Sequence, residues 1–205
     1  MQDPYKTTIE VYNRLGKNYL KGISKAFPKE RTAFIKLFPK NARILDVGCA
    51  GGRDSRAFLK SGFRLTGIDL SRVFINAAKK YAPEGKFLLM DARKLKFPRN
   101  SFDGIWANAV LLHIKKEDIL KVLRGLHKIL KPGGILHVSV KQGKGVKAVA
   151  ENISQNNERL FTFFRKKEME KLLKKAGFKI IFSKVVSDTL KRKKIKWVTT
   201  WGKRA

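Results

Sequence analysis

The sequence predicts an α/β protein in which a mostly parallel sheet lies between layers of helices. Three observations carry this. From Arg43 onward, short apolar runs alternate with amphipathic stretches, the pattern of repeated strand-helix units. The first run, Arg43–Val47, passes through Gly48-Cys49-Ala50-Gly51-Gly52 straight into a helical segment. Glycines there supply φ freedom and leave room for a bulky ligand to approach the backbone. The second run ends Gly67-Ile68-Asp69, placing an acid at a strand tip about twenty residues further on, where a carboxylate can accept both hydrogen bonds of a ribose diol.

Before the first strand, residues from about Thr7 to Phe38 read as helical. Ile9, Tyr12, Leu15, Tyr19 and Ile23 recur at helical steps, and Pro28 and Pro39 punctuate the region. The segment is too short to bury a core of its own and is expected to form a cap over about residues 1–40 of a single domain. A cofactor-binding core over about 41–140 and a substrate-side part over about 141–205 make up the rest. Strand Arg43–Val47 leads to a helix from about Asp54 to Lys60, and strand Arg64–Ile68 to a helix over Ser71–Tyr81, with Ser71 as N-cap. Strand Lys86–Met90 ends on Asp91. Strand Phe102–Ala107 follows the Pro98 loop. A helix over Glu117–Leu130 carries Ile119, Val122, Leu123, Leu126 and Leu130 on one face and stops at Lys131-Pro132-Gly133-Gly134. Strand Ile135–Val140 is next.

The last third changes character. Gly143-Lys144-Gly145 and the polar stretch Glu151–Glu158 read as a mobile loop. Phe161–Phe164 reads as a short extended piece and Arg165–Ala176 as a helix. Phe178–Val186 and Ile195–Trp201 read as strands around the basic loop Lys191-Arg192-Lys193-Lys194. Two strands joined by a modest loop predict an antiparallel pair at one sheet edge.

Composition narrows the class. The 205 residues suffice for one domain with a full core, and 43% hydrophobic content excludes a disordered chain. Cys49 is the single cysteine, so no internal disulfide can form and a reducing, cytoplasmic setting is expected. The N-terminus has no basic region followed by an apolar run, so no signal peptide is expected. No apolar stretch approaches the roughly 18 residues that span a bilayer. One cysteine and three scattered histidines offer no metal-ligand spacing. Lys and Arg number 47 against 16 acids, a net charge of +31. A field of that sign favours polyanionic partners, nucleic acid first and an anionic membrane surface second, although the basic residues are spread rather than gathered in one stripe, with denser runs at Lys141–Lys147, Arg165–Lys175 and Lys191–Lys196.

These motifs, in this order, resemble the class I S-adenosylmethionine-dependent methyltransferases over roughly Tyr12 to Gly177. Ile44–Gly52 is similar to that family's first glycine loop, with Ala50 where the middle glycine is commonest. Asp69 stands at the family's ribose-binding acid. Asp91-Ala92 resembles the adenine-contacting pair. Ser101-Phe102-Asp103-Gly104-Ile105 matches the entry to the fourth strand, and Leu130-Lys131-Pro132-Gly133-Gly134 the turn before the fifth. The resemblance implies a Rossmann-like three-layer sandwich with a seven-stranded sheet and one antiparallel edge strand. It implies S-adenosylmethionine as cofactor, and an N-terminal helix folded over it with Tyr12 and Tyr19 toward its methionine end.

The candidate cofactor-binding residues are Tyr12, Tyr19, Asp46, Gly48, Ala50, Gly52, Arg53, Asp69, Leu70, Asp91, Ala92 and Asn108. Asp46 either orients the loop or meets the ligand's amino group. Arg53 either pairs with the cofactor carboxylate or serves as a surface ion-pair partner. Asn108 follows the fourth strand, and parallel sheets place ligand contacts at carboxyl ends. His113 is the candidate catalytic residue, as a base or to position the acceptor, with a structural role as the alternative. His127, His137 and Cys49 read as structural. Trp197 and Trp201 read as edge-strand core, and Phe161, Phe163 and Phe164 as a hydrophobic hinge or a stacking surface. The expected activity is methyl transfer to a small molecule or to RNA. A catalytically silent RNA-binding factor with this fold, or a nicotinamide-dependent oxidoreductase, are the alternatives. The second fits poorly because Gly48-Cys49-Ala50-Gly51-Gly52-Arg53 lacks the second and third glycines of G-x-G-x-x-G.

Overall fold

A computed structural model describes residues 4–24, 26–155, 157–190, 192 and 195–205. Two helices come first, α1 (Pro4–Ile23) and α2 (Lys29–Ile35). Strands and helices then alternate: β1 (Arg43–Val47), α3 (Arg53–Lys60), β2 (Arg64–Asp69), α4 (Arg72–Tyr81), β3 (Lys86–Leu89), β4 (Phe102–Asn108), α5 (Ile119–Ile129) and β5 (Leu130–Lys141). After them come β6 (Val146–Ala150), β7 (Glu158–Thr162), α6 (Lys166–Lys175), β8 (Phe178–Ser187) and β9 (Lys196–Arg204).

Seven strands form the main sheet in the order β3-β2-β1-β4-β5-β9-β8. β1 to β5 are mutually parallel, and β9 runs antiparallel to both of its neighbours. The expected antiparallel pair is thus β8–β9, at one edge. The strands are apolar on both faces because both are covered. Leu45, Ile105, Leu136 and Val138 pack with Leu123, Leu126, Met169 and Leu173 from α5 and α6. On the other face Ile44, Trp106 and Trp201 pack with Phe34, Phe58 and Ile75 from α2, α3 and α4. Each such side chain contributes about 1.5–3 kcal/mol when fully buried. Trp106 stacks on His137 at 3.6 Å, and Trp201 Nε1 donates to His137 Nδ1 at 2.9 Å, so His137 is structural, as expected.

Several boundaries depart from the sequence reading. The N-terminal helical stretch is two helices, and α1 is itself bent at Gly16 (φ 43°, ψ −121°), a conformation glycine adopts without steric penalty. The two segments expected to be loop, Gly143–Gly145 and Glu151–Glu158, lie before and between the strands of a hairpin that the sequence reading did not assign. β6 and β7 pair from Val146↔Thr162 to Ala150↔Glu158 in a separate two-stranded sheet. β6 is mostly exposed, so it carries little of the apolar alternation by which strands are read. β5 starts at Leu130, opposite Phe102, and resumes pairing at Ile135 opposite Gly104, so residues 131–134 bulge from the strand instead of preceding it. Of the basic loop between β8 and β9, Lys191, Lys193 and Lys194 lie outside the described residues. Among the described residues no helix is long and apolar enough to cross a membrane.

Candidate functional site

The carboxyl ends of β1, β2, β4 and β5 meet at one rim of the sheet, where the strand order reverses between β1 and β4. Open parallel sheets bind ligands at such a point. A cavity of about 680 Å³ lies there, within the range of small-molecule and cofactor sites. It runs from the glycine loop past Asp69 and Asn108 to Lys141 and Arg159.

The loop after β1 is folded for close approach. Gly48 has φ 70°, and a Cβ there would lie 2.5 Å from Val110 Cγ2; one on Gly51 would lie 2.8 Å from Leu20 Cδ1. At both positions Val110 and Leu20 pack against the bare backbone, so a side chain would collide with them. Ala50 also takes a left-handed conformation, φ 45°, which explains why glycine is commonest at that place in the similar loops. Its amide donates to Asp69 Oδ2 at 3.0 Å, and the Ser71 amide donates to Asp69 Oδ1 at 2.9 Å. Backbone thereby clamps the carboxylate at the tip of β2. Burial raises the Asp69 pKa, and these amides oppose the rise. Each oxygen keeps lone-pair capacity for a diol.

Asp46, beneath the loop, accepts from Ser55 Oγ at 2.7 Å. Burial, reinforced by nearby Asp54, pushes its pKa up to about 7. Arg53 is an ion-pair partner of Asp54, largely buried instead of lying on the surface. It donates to Asp54 through Nε and Nη2 and, through Nη1, to the Ile23 carbonyl at 2.9 Å, tying the end of α1 to the loop. Burial pushes the Cys49 thiol up, and the side chain packs as a small apolar residue. Asp91 is gripped by Arg93 and still lines the cavity.

Helix α1 lies across the opening. Asn13 Oδ1 accepts from Ser71 Oγ at 2.6 Å, beside Asp69. Tyr12 and Tyr19 meet edge to face at 4.9 Å and both pack on Phe74. The Tyr12 hydroxyl accepts from Arg159 Nη1 at 2.7 Å and lies 2.8 Å from His113 Nε2. His113 Nδ1 is 3.1 Å from the Leu160 carbonyl. That carbonyl can only accept, so Nδ1 carries the proton and Nε2 accepts from Tyr12. Burial, with Arg159 nearby, pushes the His113 pKa down to about 3. Burial raises the Tyr12 phenol. Both groups are therefore neutral at physiological pH.

Of the candidate residues, Tyr12, Tyr19, Asp46, Gly48, Ala50, Arg53, Asp69, Leu70, Asp91, Ala92, Asn108 and His113 all line the cavity. Gly52 does not. At φ 83° it is the N-cap of α3, and a Cβ there would lie 3.2 Å from Ala78 Cβ, so its bareness serves the packing of α4. The sequence reading did not single out Lys141, Glu151, Arg159, Arg192 or Asp188 as site residues, yet they form a polar cluster on the β5 side. Lys141 Nζ lies 2.7 Å from Glu151 Oε1, Arg159 Nη2 lies 2.7 Å from Glu151 Oε2, and Arg192 pairs with Asp188 at 2.7 Å. The rule that pointed to Asn108, a polar residue at a strand's carboxyl end, also points to Lys141. Nothing local marks the others. Trp197 donates to Asp188 at 2.8 Å and lines the cavity; Phe161 lies under Lys141, and Phe164 is core.

Residues 45–138 match the family model described as a methyltransferase domain. That span includes the glycine loop, Asp69, Asp91 and Asn108. Over these residues the chain is similar to methyltransferase domains. The chain is 36% identical over 105 residues to 2-methyl-6-phytyl-1,4-hydroquinone methyltransferase of Synechocystis sp., covering 49% of this chain and 32% of the relative. It is 26% identical over 189 residues to phosphoethanolamine N-methyltransferase of Plasmodium falciparum, covering 88% and 70%. Matches to curated relatives span from 27% to 70% of their lengths. In fold it resembles the Burkholderia thailandensis 1,6-didemethyltoxoflavin-N1-methyltransferase, solved with bound 1,6-didemethyltoxoflavin and S-adenosylhomocysteine, at a TM-score of 0.76 and 21% identity over 100% of this chain and 92% of that one.

Proposed function

We propose that this protein transfers the methyl group of S-adenosylmethionine to a nucleophile on a small molecule. The observation that carries the reading is the clamped carboxylate of Asp69 facing a glycine-lined cavity that continues to the Tyr12–His113 pair. When bound, S-adenosylmethionine supplies a methyl group already activated on a sulfonium. The residues fit it: Asp69 with Leu70 for the ribose, Asp91 and Ala92 for the adenine, and Asp46, Gly48, Ala50 and Arg53 for the methionine end.

The chain's own part is to hold and to screen. Tyr12 and Tyr19 on α1 close over the cavity and keep water from it. Asn108 offers an amide at the β4 end. His113 is a positioning residue, since its Nε2 is engaged by Tyr12 and its low basicity suits a neutral acceptor of that hydrogen bond. Lining up acceptor and methyl donor is the main task left to the protein.

Relatives named for a hydroquinone, phosphoethanolamine and a toxoflavin precursor support a small acceptor. The charge of +31 favours polyanion contact in general but is spread along the chain. The test is transfer of tritiated methyl from S-adenosylmethionine to small-metabolite, RNA and protein fractions run side by side. Incorporation into the small-metabolite fraction is expected. Incorporation into RNA alone would overturn the small-molecule reading, and none into any fraction would overturn the activity.

A further inference from the structure

The part of the cavity farthest along the sheet from the Asp69 loop is unusually rich in buried positive charge. Lys141 and Arg159 side chains are 6% and 2% exposed, and both end on the single carboxylate of Glu151. Arg192 Nη1 reaches the same carboxylate at 3.4 Å while Asp188 takes its Nε and Nη2. Three cations thus share two carboxylates. A buried charge without a partner is strongly unfavourable. The Nε of Arg159 is buried and has no hydrogen-bond partner among the described residues. Aromatic faces frame the cluster: Lys141 Nζ stands 3.8 Å above the Phe161 ring, and the Arg159 guanidinium lies 4.9 Å from the centroid of that ring and 5.3 Å from that of Tyr12. All of these residues line the cavity that the glycine loop opens into.

Resting on the methyl-transfer reading above, we propose that the acceptor carries an anionic oxygen group, a carboxylate or a phosphate, and that Arg159, Lys141 and Arg192 bind it in the position Glu151 now holds. Glu151 is then an internal counter-ion, keeping the three cations gathered until the acceptor's anion displaces it. Planar guanidinium groups suit this task because they offer paired donors to carboxylate or phosphate oxygens. Arg159 also donates to the Tyr12 hydroxyl, so the anion would be seated one hydrogen bond away from the Tyr12–His113 pair.

The test is calorimetric titration of the protein saturated with S-adenosylhomocysteine, using inorganic phosphate, benzoate and the neutral benzamide as probes. Phosphate or benzoate is expected to bind, which of the two binds more tightly naming the group, and benzamide to bind about tenfold more weakly than benzoate or worse. Arg159→Gln should weaken the anion by about tenfold or more, as expected for a lost charge-assisted hydrogen bond. Glu151→Gln should tighten it by about threefold or more, since it removes the competitor while keeping the side-chain shape. A gain in affinity cannot come from misfolding. Absence of binding by both anions, equal binding of benzamide and benzoate, or a Glu151→Gln affinity equal to or below that of the unaltered protein would overturn the proposal. Failure of S-adenosylhomocysteine itself to bind would overturn the methyl-transfer reading instead, and the same anion titrations on the free protein would still decide the cationic site.

Discussion

On the β1–β2 side the cavity wall is made of backbone and carboxylates; on the β5–β7 side it is made of cations and aromatic rings. The first wall is short-range. Asp69 is held by the amides of Ala50 and Ser71, nineteen and two residues away, and the loop shape follows from three small residues with positive φ, Gly48, Ala50 and Gly52. The second wall is assembled from far apart. Tyr12 meets His113 and Arg159 across separations of 101 and 147 residues. A wall built from local backbone holds a constant ligand, and a wall built from side chains on a hairpin and an edge strand is free to vary with the acceptor.

This contrast has consequences for mutants. The largest effect is expected at the first wall. Gly48→Ala places a methyl 2.5 Å from Val110 at φ 70°, combining backbone strain with overpacking, and should lower stability by about 2–4 kcal/mol in chemical denaturation and abolish S-adenosylhomocysteine binding with it. Tyr12→Phe acts on the second wall. It leaves Arg159 Nη1 and His113 Nε2 short of a partner at about 1–3 kcal/mol, so α1 should become more sensitive to limited proteolysis while S-adenosylhomocysteine affinity changes only a few-fold. A loss of cofactor affinity as large as that of Gly48→Ala would erase the distinction between the walls.

A smaller effect depends on pH. The Asp46 carboxyl titrates near 7 in the folded chain against 3.8 when unperturbed. Between those values the folded state holds a proton that the unfolded state has released, so this group's contribution to stability declines as pH rises through that window and is constant above it. Asp46→Asn does not titrate. Its thermal midpoint relative to the unaltered protein should therefore rise between pH 4 and 7 and level off; a difference independent of pH would contradict the burial argument. The smallest effect is expected from Ala50→Gly. Relief of a left-handed alanine is worth about 1 kcal/mol and is partly offset by the extra freedom of the unfolded glycine, so the thermal midpoint should rise slightly with cofactor affinity retained.

The same contrast explains what could be read from residues alone. β1, β2 and β4, the glycine loop and Asp69 were legible because each is a local pattern: a buried apolar run, a φ requirement, an acid at a strand tip. The β6–β7 hairpin was not, because exposed Val146–Ala150 pairs with a strand that is itself irregular in polarity. Arg159 lies between Glu158 and Leu160 and looks like any surface arginine; only the packing of α1 over the hairpin makes it a buried cation. Gly52 looked like a ligand-contact glycine because spacing does not distinguish approach by a ligand from approach by α4. His113 was visible as a histidine near the right rim, but its occupied Nε2 depends on Tyr12 from the far end of the chain.

The claim beneath all of this is that Asp69 holds the ribose of S-adenosylmethionine. Calorimetry of S-adenosylmethionine binding to the unaltered protein and to Asp69→Ala tests it most directly. Loss of a charged acceptor should weaken binding by about tenfold to a hundredfold with the fold intact by circular dichroism. Equal affinity in the two proteins, or no binding by the unaltered chain, would contradict it.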